Sequence, residues 1–428
     1  MNKKVAVIGG GAAGMMAAIQ ASLAGAQVEL YERNNRVGKK ILATGNGKCN
    51  FSNLNMDKSA YYGSAAAFYD ELYSRFGVQD AIDFFGQQGM LIKNKNGYLY
   101  PMSEQAATVL DVLRFGLEEC RVMIHTDSMV KDIRIRQEDG KSGRSITDAD
   151  SNDGKFGVNA IVSESNDTET KFYDAVILAC GGMAAPKTGS DGSGFKLAAS
   201  LGHHVVEPVP ALVQLRCSDS FFKSVAGVRT EAGLKLYIDG KKEAFVRGEL
   251  QLTDYGISGI PVFQFSRKAA YALVHKRKVT VDIDFLPDYK ADEYKRLWEE
   301  RWKRAPKQSL EQFLTGIVNK KINQLIIKLS GAKPLDMAGD VDVSVRRKIE
   351  SLYRKFTVSV CGTNGFENAQ VSAGGIPAKE LTNDLESRLV PNLYFAGEII
   401  DMDGICGGYN LQWAWTSGMA AGRAAAKQ

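Results

Sequence analysis

The sequence predicts an α/β protein whose parallel, doubly wound sheet opens near the N-terminus, is interrupted by a long insertion and closes near the C-terminus. Three observations carry this reading. Residues 4–32 run as apolar strand, glycine turn, small-residue helix and second strand, which is the order of a βαβ unit. Buried-strand texture returns far downstream in Leu393-Tyr394-Phe395-Ala396, just before Gly397. Between them, from about residue 203 to 365, the chain changes to short β-like runs and then to a charged helical stretch.

Taken in order, Lys4 to Ile8 is a nearly continuous apolar run, as in a strand buried on both faces. Gly9 to Gly14 is the turn, Ala12 to Leu23 the helix and Gln27 to Glu32 the second strand. Helical signals dominate residues 61–120, with Phe68, Leu72, Phe76, Val109, Leu110 and Leu113 as apolar positions. Arg121–Ile124, Val130–Ile135, Phe156–Val162 and Tyr173–Ala179 read as strands, and the polar Gln137–Lys155 stretch as a loop. Asp174–Cys180 is again of the buried type and ends in Gly181-Gly182. Leu234–Ile238, Glu249–Leu252 and Lys278–Phe285 point to an antiparallel or barrel module. In residues 288–350, Leu310, Phe313, Leu314, Ile317, Val318, Leu325, Ile326 and Leu329 follow helical spacing. The basic residues there (Lys295, Arg296, Arg301, Lys303, Arg304) alternate with Glu299 and Glu300, as on a solvated helix face.

Composition narrows the class. A chain of 428 residues has room for about three domains. Its 44% hydrophobic and 24% charged content excludes disordered, collagen-like and disulfide-scaffold proteins. A net charge of +5 is too weak over this length to argue for nucleic acid. The cysteines at 49, 120, 180, 217, 361 and 406 form no C-x-x-C pair and read as reduced thiols of a cytoplasmic protein. Val5–Val28 and Gly404–Gly422 are uncharged, but glycines and polar residues break both, so neither reads as a membrane span. Forty-three glycines against 10 prolines suit close backbone approaches around a bound group.

The chemistry begins at Gly9-Gly10-Gly11-Ala12-Ala13-Gly14, a G-x-G-x-x-G directly after a strand and opening a helix. Gly9 permits the turn, Gly11 admits a pyrophosphate and Gly14 lets helix and strand close up. Glu32 falls 18 residues after Gly14, where a carboxylate can hold a ribose diol. Together these predict an adenine dinucleotide. The polar, glycine-rich run Gly38–Asn53 can wrap pyrophosphate and flavin edges. At the far end Gly397-Glu398 closes a strand, and Gly407-Gly408-Tyr409-Asn410-Leu411-Gln412 opens an apolar helix. Its N-terminus suits the flavin N1–C2=O edge, where charge collects on reduction.

With these marks the chain resembles the aminoacetone-oxidase/BaiN-type family of FAD-dependent flavoproteins, a branch of the glutathione-reductase-like fold. Gly97-Tyr98-Leu99-Tyr100-Pro101, Ala179-Cys180-Gly181-Gly182, Thr188-Gly189-Ser190-Asp191-Gly192, the Gly248–Gly259 stretch and Phe395 to Trp415 add to the resemblance, which spans nearly the whole chain. It implies a discontinuous Rossmann-like FAD-binding domain (1–202 and 366–428), an inserted β-barrel-like substrate domain (203–287 and 351–365) and a helical domain within the insertion (288–350). Its implied cofactor contacts are Gly9, Gly11, Ala12, Ala13, Gly14, Glu32 and Arg33; Lys39, Lys40, Thr44, Gly45, Gly47, Lys48, Cys49 and Asn50; Val130; Ala179, Gly181 and Gly182; and Gly397, Glu398, Asn410, Leu411 and Gln412.

Several absences shape the expected reaction. Cys49 lacks the nearby partner that a disulfide reductase needs, so it reads with Cys180 and Cys406 as a small packing residue beside the flavin. The Gly189–Gly194 cluster does not directly follow a strand and lacks a ribose carboxylate, so no second nucleotide domain is expected. NADH or NADPH would then be a transient donor. His125, His203, His204 and His275 show no metal spacing, and His203 and His204 read as cations ending a helix. Trp413 and Trp415 read as core or flavin-flanking. The expectation is an FAD-dependent oxidoreductase acting on a small molecule, as a reductase of an electron-poor C=C bond because the insertion can form an apolar pocket over the flavin. The alternatives are an amine oxidase using O₂, an RNA-modifying flavoprotein and a non-catalytic FAD-stabilised protein. No residue is assigned as catalytic; Tyr409 and Glu398 are candidates for the acid.

Overall fold

The computed structural model describes residues 2–135, 155–162, 168–304 and 306–427. It divides into two compact units, residues 1–209 with 370–428 and residues 210–369. Residues 137–154 of the expected Gln137–Lys155 loop lie outside the described residues.

The first unit is built on a five-stranded sheet. β1 (Lys4–Ile8) lies at its centre, flanked by β2 (Gln27–Tyr31) and by the Ala175–Leu178 strand. Met123–His125 extends the sheet beyond β2, and Leu393–Phe395 extends it on the other side. All neighbours are parallel, and Ile8 is in register with both Tyr31 and Leu178, so the carboxyl ends line up. Chain order reverses at β1. Such a switch point is where open α/β sheets bind ligands. Val5, Ala6 and Val7 are wholly buried, which explains their unbroken apolar run.

Helix α1 (Ala12–Leu23) packs against the C-terminal helix Tyr409–Ala426 through small residues. A Cβ at Gly418 would sit 2.7 Å from the Ala13 carbonyl oxygen, and one at Gly422 2.4 Å from that of Ala17. The chain's last helix is thereby locked onto its first.

The helical reading of 61–120 needs one correction. Helices Tyr69–Arg75, Val78–Gln87 and Ala106–Glu119 are present, but a hairpin of Ile92–Lys95 and Tyr98–Pro101 interrupts them. Asn96 (φ +54°) and Gly97 (φ +93°) form its turn. That dipeptide is a known hairpin signal, but the half-exposed Ile92–Lys95 strand carries little apolar alternation to accompany it.

The second unit contains a closed antiparallel barrel of six strands, ordered Leu215–Cys217, Gly256–Ser258, Lys241–Leu252, Arg229–Ile238, Val279–Asp284 and Phe356–Thr363. Helices Ala291–Arg304, Leu310–Leu314, Lys320–Ser330 and Val343–Arg354 share its hydrophobic core: Trp298, Phe313, Ile326 and Tyr353 belong to the same cluster as Leu234, Ile283 and Val358. Two half-buried cations of these helices bond backbone carbonyls. Arg301 donates to the carbonyls of Phe313 and Thr315, and Arg346 to those of Ala338, Gly339 and Val341.

Candidate functional site

The carboxyl ends of the central strands open into one cleft of the first unit, with about 1270 Å³ of free space including its open mouth. Ile8, Tyr31, Ala179 and Ala396, at or just past four strand ends, line it. Gly9 follows β1 at φ +107°; a Cβ there would lie 2.6 Å from the Ala179 carbonyl oxygen. Its N–H donates to Tyr31 O at 2.8 Å, which fixes the turn between two strand ends. A Cβ on Gly14 would approach Gly9 O to 1.8 Å, so that position is closed to any side chain. Gly11 faces free space, with nothing within 4 Å of its Cβ position.

Two helix N-termini reach this cleft. Gly11 caps α1 and Gly408, at φ +90°, caps the C-terminal helix; neither end has a side-chain cap. Ala12 and Ala13 of the first helix, and Asn410 and Leu411 of the second, line the cleft. First-turn N–H groups and the helix dipole make each a place for negative charge.

Glu32 lies just past β2 and is buried. Its Oε2 accepts from Gly10 N at 2.9 Å, and its Oε1 from Asn34 N at 2.8 Å and Asn34 Nδ2 at 2.6 Å. The carboxylate is thus held at the cleft wall with acceptor capacity left on Oε2. Lys39 donates to Asn34 Oδ1 at 3.2 Å. Further along, Lys40 Nζ pairs with Glu398 Oε2 at 2.8 Å, while Glu398 Oε1 accepts from Ser372 N and Oγ at 2.8 and 2.9 Å. Trp413 donates from Nε1 to Gly397 O at 3.1 Å.

Of the residues expected at the cofactor, the cleft brings together Gly9, Gly11, Ala12, Ala13, Glu32, Arg33, Lys39, Lys40, Thr44, Val130, Ala179, Gly181, Gly397, Glu398, Asn410 and Leu411. Gly14, Gly45, Gly47, Lys48, Cys49, Asn50, Gly182 and Gln412 do not line it. Gly14 packs helix on strand. Gln412 is buried in a network with Ser52, Gly77 O and Thr416. Lys48 joins Lys93 and Lys95 around Glu104. Cys49 is wholly buried, and burial pushes its thiol up to about 12; Cys180 does line the cleft.

The expected acids fare differently. Tyr409 Oη donates to Asn55 O at 3.1 Å and is absent from the cleft lining, whereas Glu398 lines the cleft but has both oxygens engaged. His203 is corrected outright. Its ring is buried, with Nδ1 2.8 Å from Glu380 and Nε2 2.8 Å from Ser387, and burial holds its pKa below the usual imidazole value. It is a core linker, not a helix-ending cation. Residues missed by sequence reasoning include Ser128 and Met129 beside Val130, and Thr188 to Ser190, Ser193 and Leu197. Thr188–Gly192 is one of the marks of the family resemblance, and the overlapping Gly189–Gly194 cluster is set aside as a second nucleotide site, so neither reading puts these residues at the first one.

A cradle left open at Gly11, two uncapped helix ends and a ribose-type carboxylate fit FAD. Among the described residues, no group of three or more His, Cys, Asp or Glu could hold a metal, and no helix is long and apolar enough to cross a membrane.

Comparison with known proteins follows this geometry. The model of the family described as HI0933-like protein Rossmann domain matches residues 3–424. A 3-dehydro-bile acid delta(4,6)-reductase of Clostridium scindens is 40% identical over 428 residues, 99% of each chain. A ribosomal RNA dihydrouridine synthase of Haemophilus influenzae is 29% identical over 427 residues, 99% of this chain and 98% of the relative. The solved 3-ketosteroid-delta4-(5alpha)-dehydrogenase of Rhodococcus jostii superposes with a TM-score of 0.50 at 16% identity, over 100% of this chain and 97% of its own, a likeness of fold.

Proposed function

The chain belongs to the HI0933-like family of FAD-dependent oxidoreductases, and from that premise we propose that it is an NAD(P)H-dependent reductase of an electron-poor C=C bond in a small, steroid-like enone. The observation that carries the reaction is the full-length 40% identity to the bile-acid reductase. The cleft supports it. Bound FAD supplies two-electron hydride chemistry. The chain's own residues bind and orient: α1 and Glu32 hold the nucleotide half. The C-terminal helix, whose Asn410 and Leu411 line the cleft, would offer its first-turn N–H groups to the flavin half. Ser372 holds Glu398, which in turn fixes the Lys40 ammonium in an ion pair at the same end of the cleft. With no second nucleotide fingerprint in the sequence, NADH or NADPH and the substrate use one cleft in turn. The reading also takes residues 203–365 as the segment that serves the substrate, and places the protein in the cytoplasm.

Product analysis tests this. With NADPH or NADH and a 3-oxo-Δ4 steroid under nitrogen, the product should gain two hydrogens across the ring double bond, and initial rates should give parallel double-reciprocal lines. Unchanged steroid with both donors, or a demonstrated ternary complex, contradicts it. The dihydrouridine synthase relatives favour a second reading, RNA reduction. Arg301 is engaged by the Phe313 and Thr315 carbonyls, but Lys295, Arg296, Lys303 and Arg304 stay exposed on the helical face that reading needs. RNA binding with a steep salt dependence would favour it.

A further inference from the structure

Among the described residues of the first unit, three lysines share one carboxylate. Glu104 Oε1 lies 2.5 Å from Lys93 Nζ and 2.6 Å from Lys95 Nζ, and its Oε2 lies 3.2 Å from Lys48 Nζ. Lys93, Lys95 and Lys48 together hold the Glu104 carboxyl down at about 2, so it is ionised at any working pH. Three ammoniums against one carboxylate leave two positive charges unmatched. Other cations of this unit are matched singly, Lys58 by Asp70 and Lys40 by Glu398. Gathering three ammoniums costs mutual repulsion, which a single carboxylate only partly offsets.

The cluster stands on the outer face of a small antiparallel sheet. Lys93 and Lys95 alternate along Ile92–Lys95 and pair across the hairpin with Tyr100 and Tyr98, so the four side chains share one face. The other face carries Leu99, which is buried, whereas Lys48 and Lys95 are exposed and Lys93 is half-buried. This sheet is tied to the rim of the cleft. Its third strand is Ser52–Asn53, and Asn53 Nδ2 donates to Gly407 O at 2.9 Å. The Tyr98 ring closes over Gly407, whose Cβ position is 2.8 Å from Tyr98 Cε1. Gly408 then caps the C-terminal helix, whose Asn410 and Leu411 line the cleft. Lys48 itself follows four residues after Thr44, which lines the cleft as well.

We propose that Lys48, Lys93 and Lys95 are the docking site for the 2′-phosphate of NADPH, and that the donor is NADPH in preference to NADH. The inference rests on the reductase reading and names the donor that reading leaves open. The two nicotinamides differ only in this phosphate, which carries about −1.5 to −2 charges at pH 7 and so matches the unmatched ammoniums. With no second nucleotide fingerprint in the sequence, a donor whose nicotinamide reaches the flavin leaves its adenosine end at the mouth of the cleft, where the hairpin stands. Lysines on flexible, solvated stems suit a ligand that must depart in every turnover.

The test is anaerobic flavin reduction by NADPH and by NADH, beside calorimetric titration of the FAD-loaded protein with 2′,5′-ADP and 5′-AMP. It compares the parent, the double variant Lys93→Gln with Lys95→Gln, and Glu104→Gln. The double variant should weaken NADPH and 2′,5′-ADP by about five- to thirtyfold, the upper range of two exposed ion pairs, and keep NADH and 5′-AMP within about twofold. Its limiting rate of flavin reduction should stay that of the parent. Glu104→Gln removes only the counter-charge, so it should tighten NADPH and 2′,5′-ADP and leave NADH as it was. Equal losses with both nicotinamides, or no change with either, overturn the proposal while the reductase reading stands. So does a double variant that keeps NADPH but loses RNA binding, which would give the lysines to RNA. A parent flavin that neither nicotinamide reduces overturns the reductase reading and this proposal with it.

Discussion

Removing the Glu32 carboxylate separates its two roles. In Glu32→Ala, Gly10 N and Asn34 N lose their acceptors, at 2.9 and 2.8 Å in the parent. Each donor left unpaired costs about 1–3 kcal/mol, and this burden falls on apo and holo protein alike. It therefore lowers the melting temperature without entering the FAD dissociation constant. The ribose contact enters only the holo state. A hydrogen bond to a charged acceptor is worth roughly 1.5–3 kcal/mol, so FAD affinity should fall about 10- to 150-fold. FMN, which lacks the adenosine ribose, should bind as before. Glu32→Gln keeps an acceptor without the charge and should fall between. The assay is flavin fluorescence on titrating apoprotein, beside thermal melts without flavin. If Glu32→Ala melts earlier yet binds FAD within about twofold of the parent, Glu32 is only a staple for Gly10 and Asn34, and the orientation assigned to the dinucleotide is wrong.

Other consequences can be checked singly. Cys49→Ser should leave flavin reduction within a few-fold, because a wholly buried thiol pushed up to about 12 cannot relay electrons as a thiolate; loss of reoxidation alone would make Cys49 a redox partner. Tyr409→Phe removes only the bond to Asn55 O and should keep kcat within a few-fold, so a collapse of kcat with its pH profile altered would reinstate Tyr409 as the acid. Gly14→Ala forces a Cβ to 1.8 Å from Gly9 O, and denaturant unfolding should show a loss of at least about 1–3 kcal/mol. Burial lowers the His203 pKa in the folded state, so the unfolded chain takes up the proton first. Stability should therefore hold above about pH 6.5 and decline as pH falls below it, and His203→Asn should flatten that decline; an unchanged slope would assign it to other groups.

The cofactor half of the molecule was legible because its physics is local. A turn at φ +107°, a glycine where a Cβ would clash at 1.8 Å and a strand with both faces buried each demand particular residue types at fixed spacing. Ala12–Leu23 and the return of the sheet at Leu393 were readable for that reason. What the sequence left illegible depended on partners remote in sequence. His203 looked like a helix-ending cation until Glu380 and Ser387, some 180 residues away, enclosed it. Gln412 and Asn50 sit in plausible motifs, yet packing directs Gln412 toward Ser52 and Thr416, and Asn50 does not line the cleft. Thr188–Ser190 was seen as a motif, but only folding shows that it faces the same cleft as Glu32.

The central claim, a flavin reductase fed by a nicotinamide through one cleft, is tested most directly by the anaerobic visible spectrum of the purified protein. It should be yellow with FAD, bleach on adding NADH or NADPH, and recover its colour stoichiometrically when a 3-oxo-Δ4 steroid is mixed in without oxygen. Bleaching by an amine in place of nicotinamide, with recovery only on admitting air, would contradict the account and identify an oxidase.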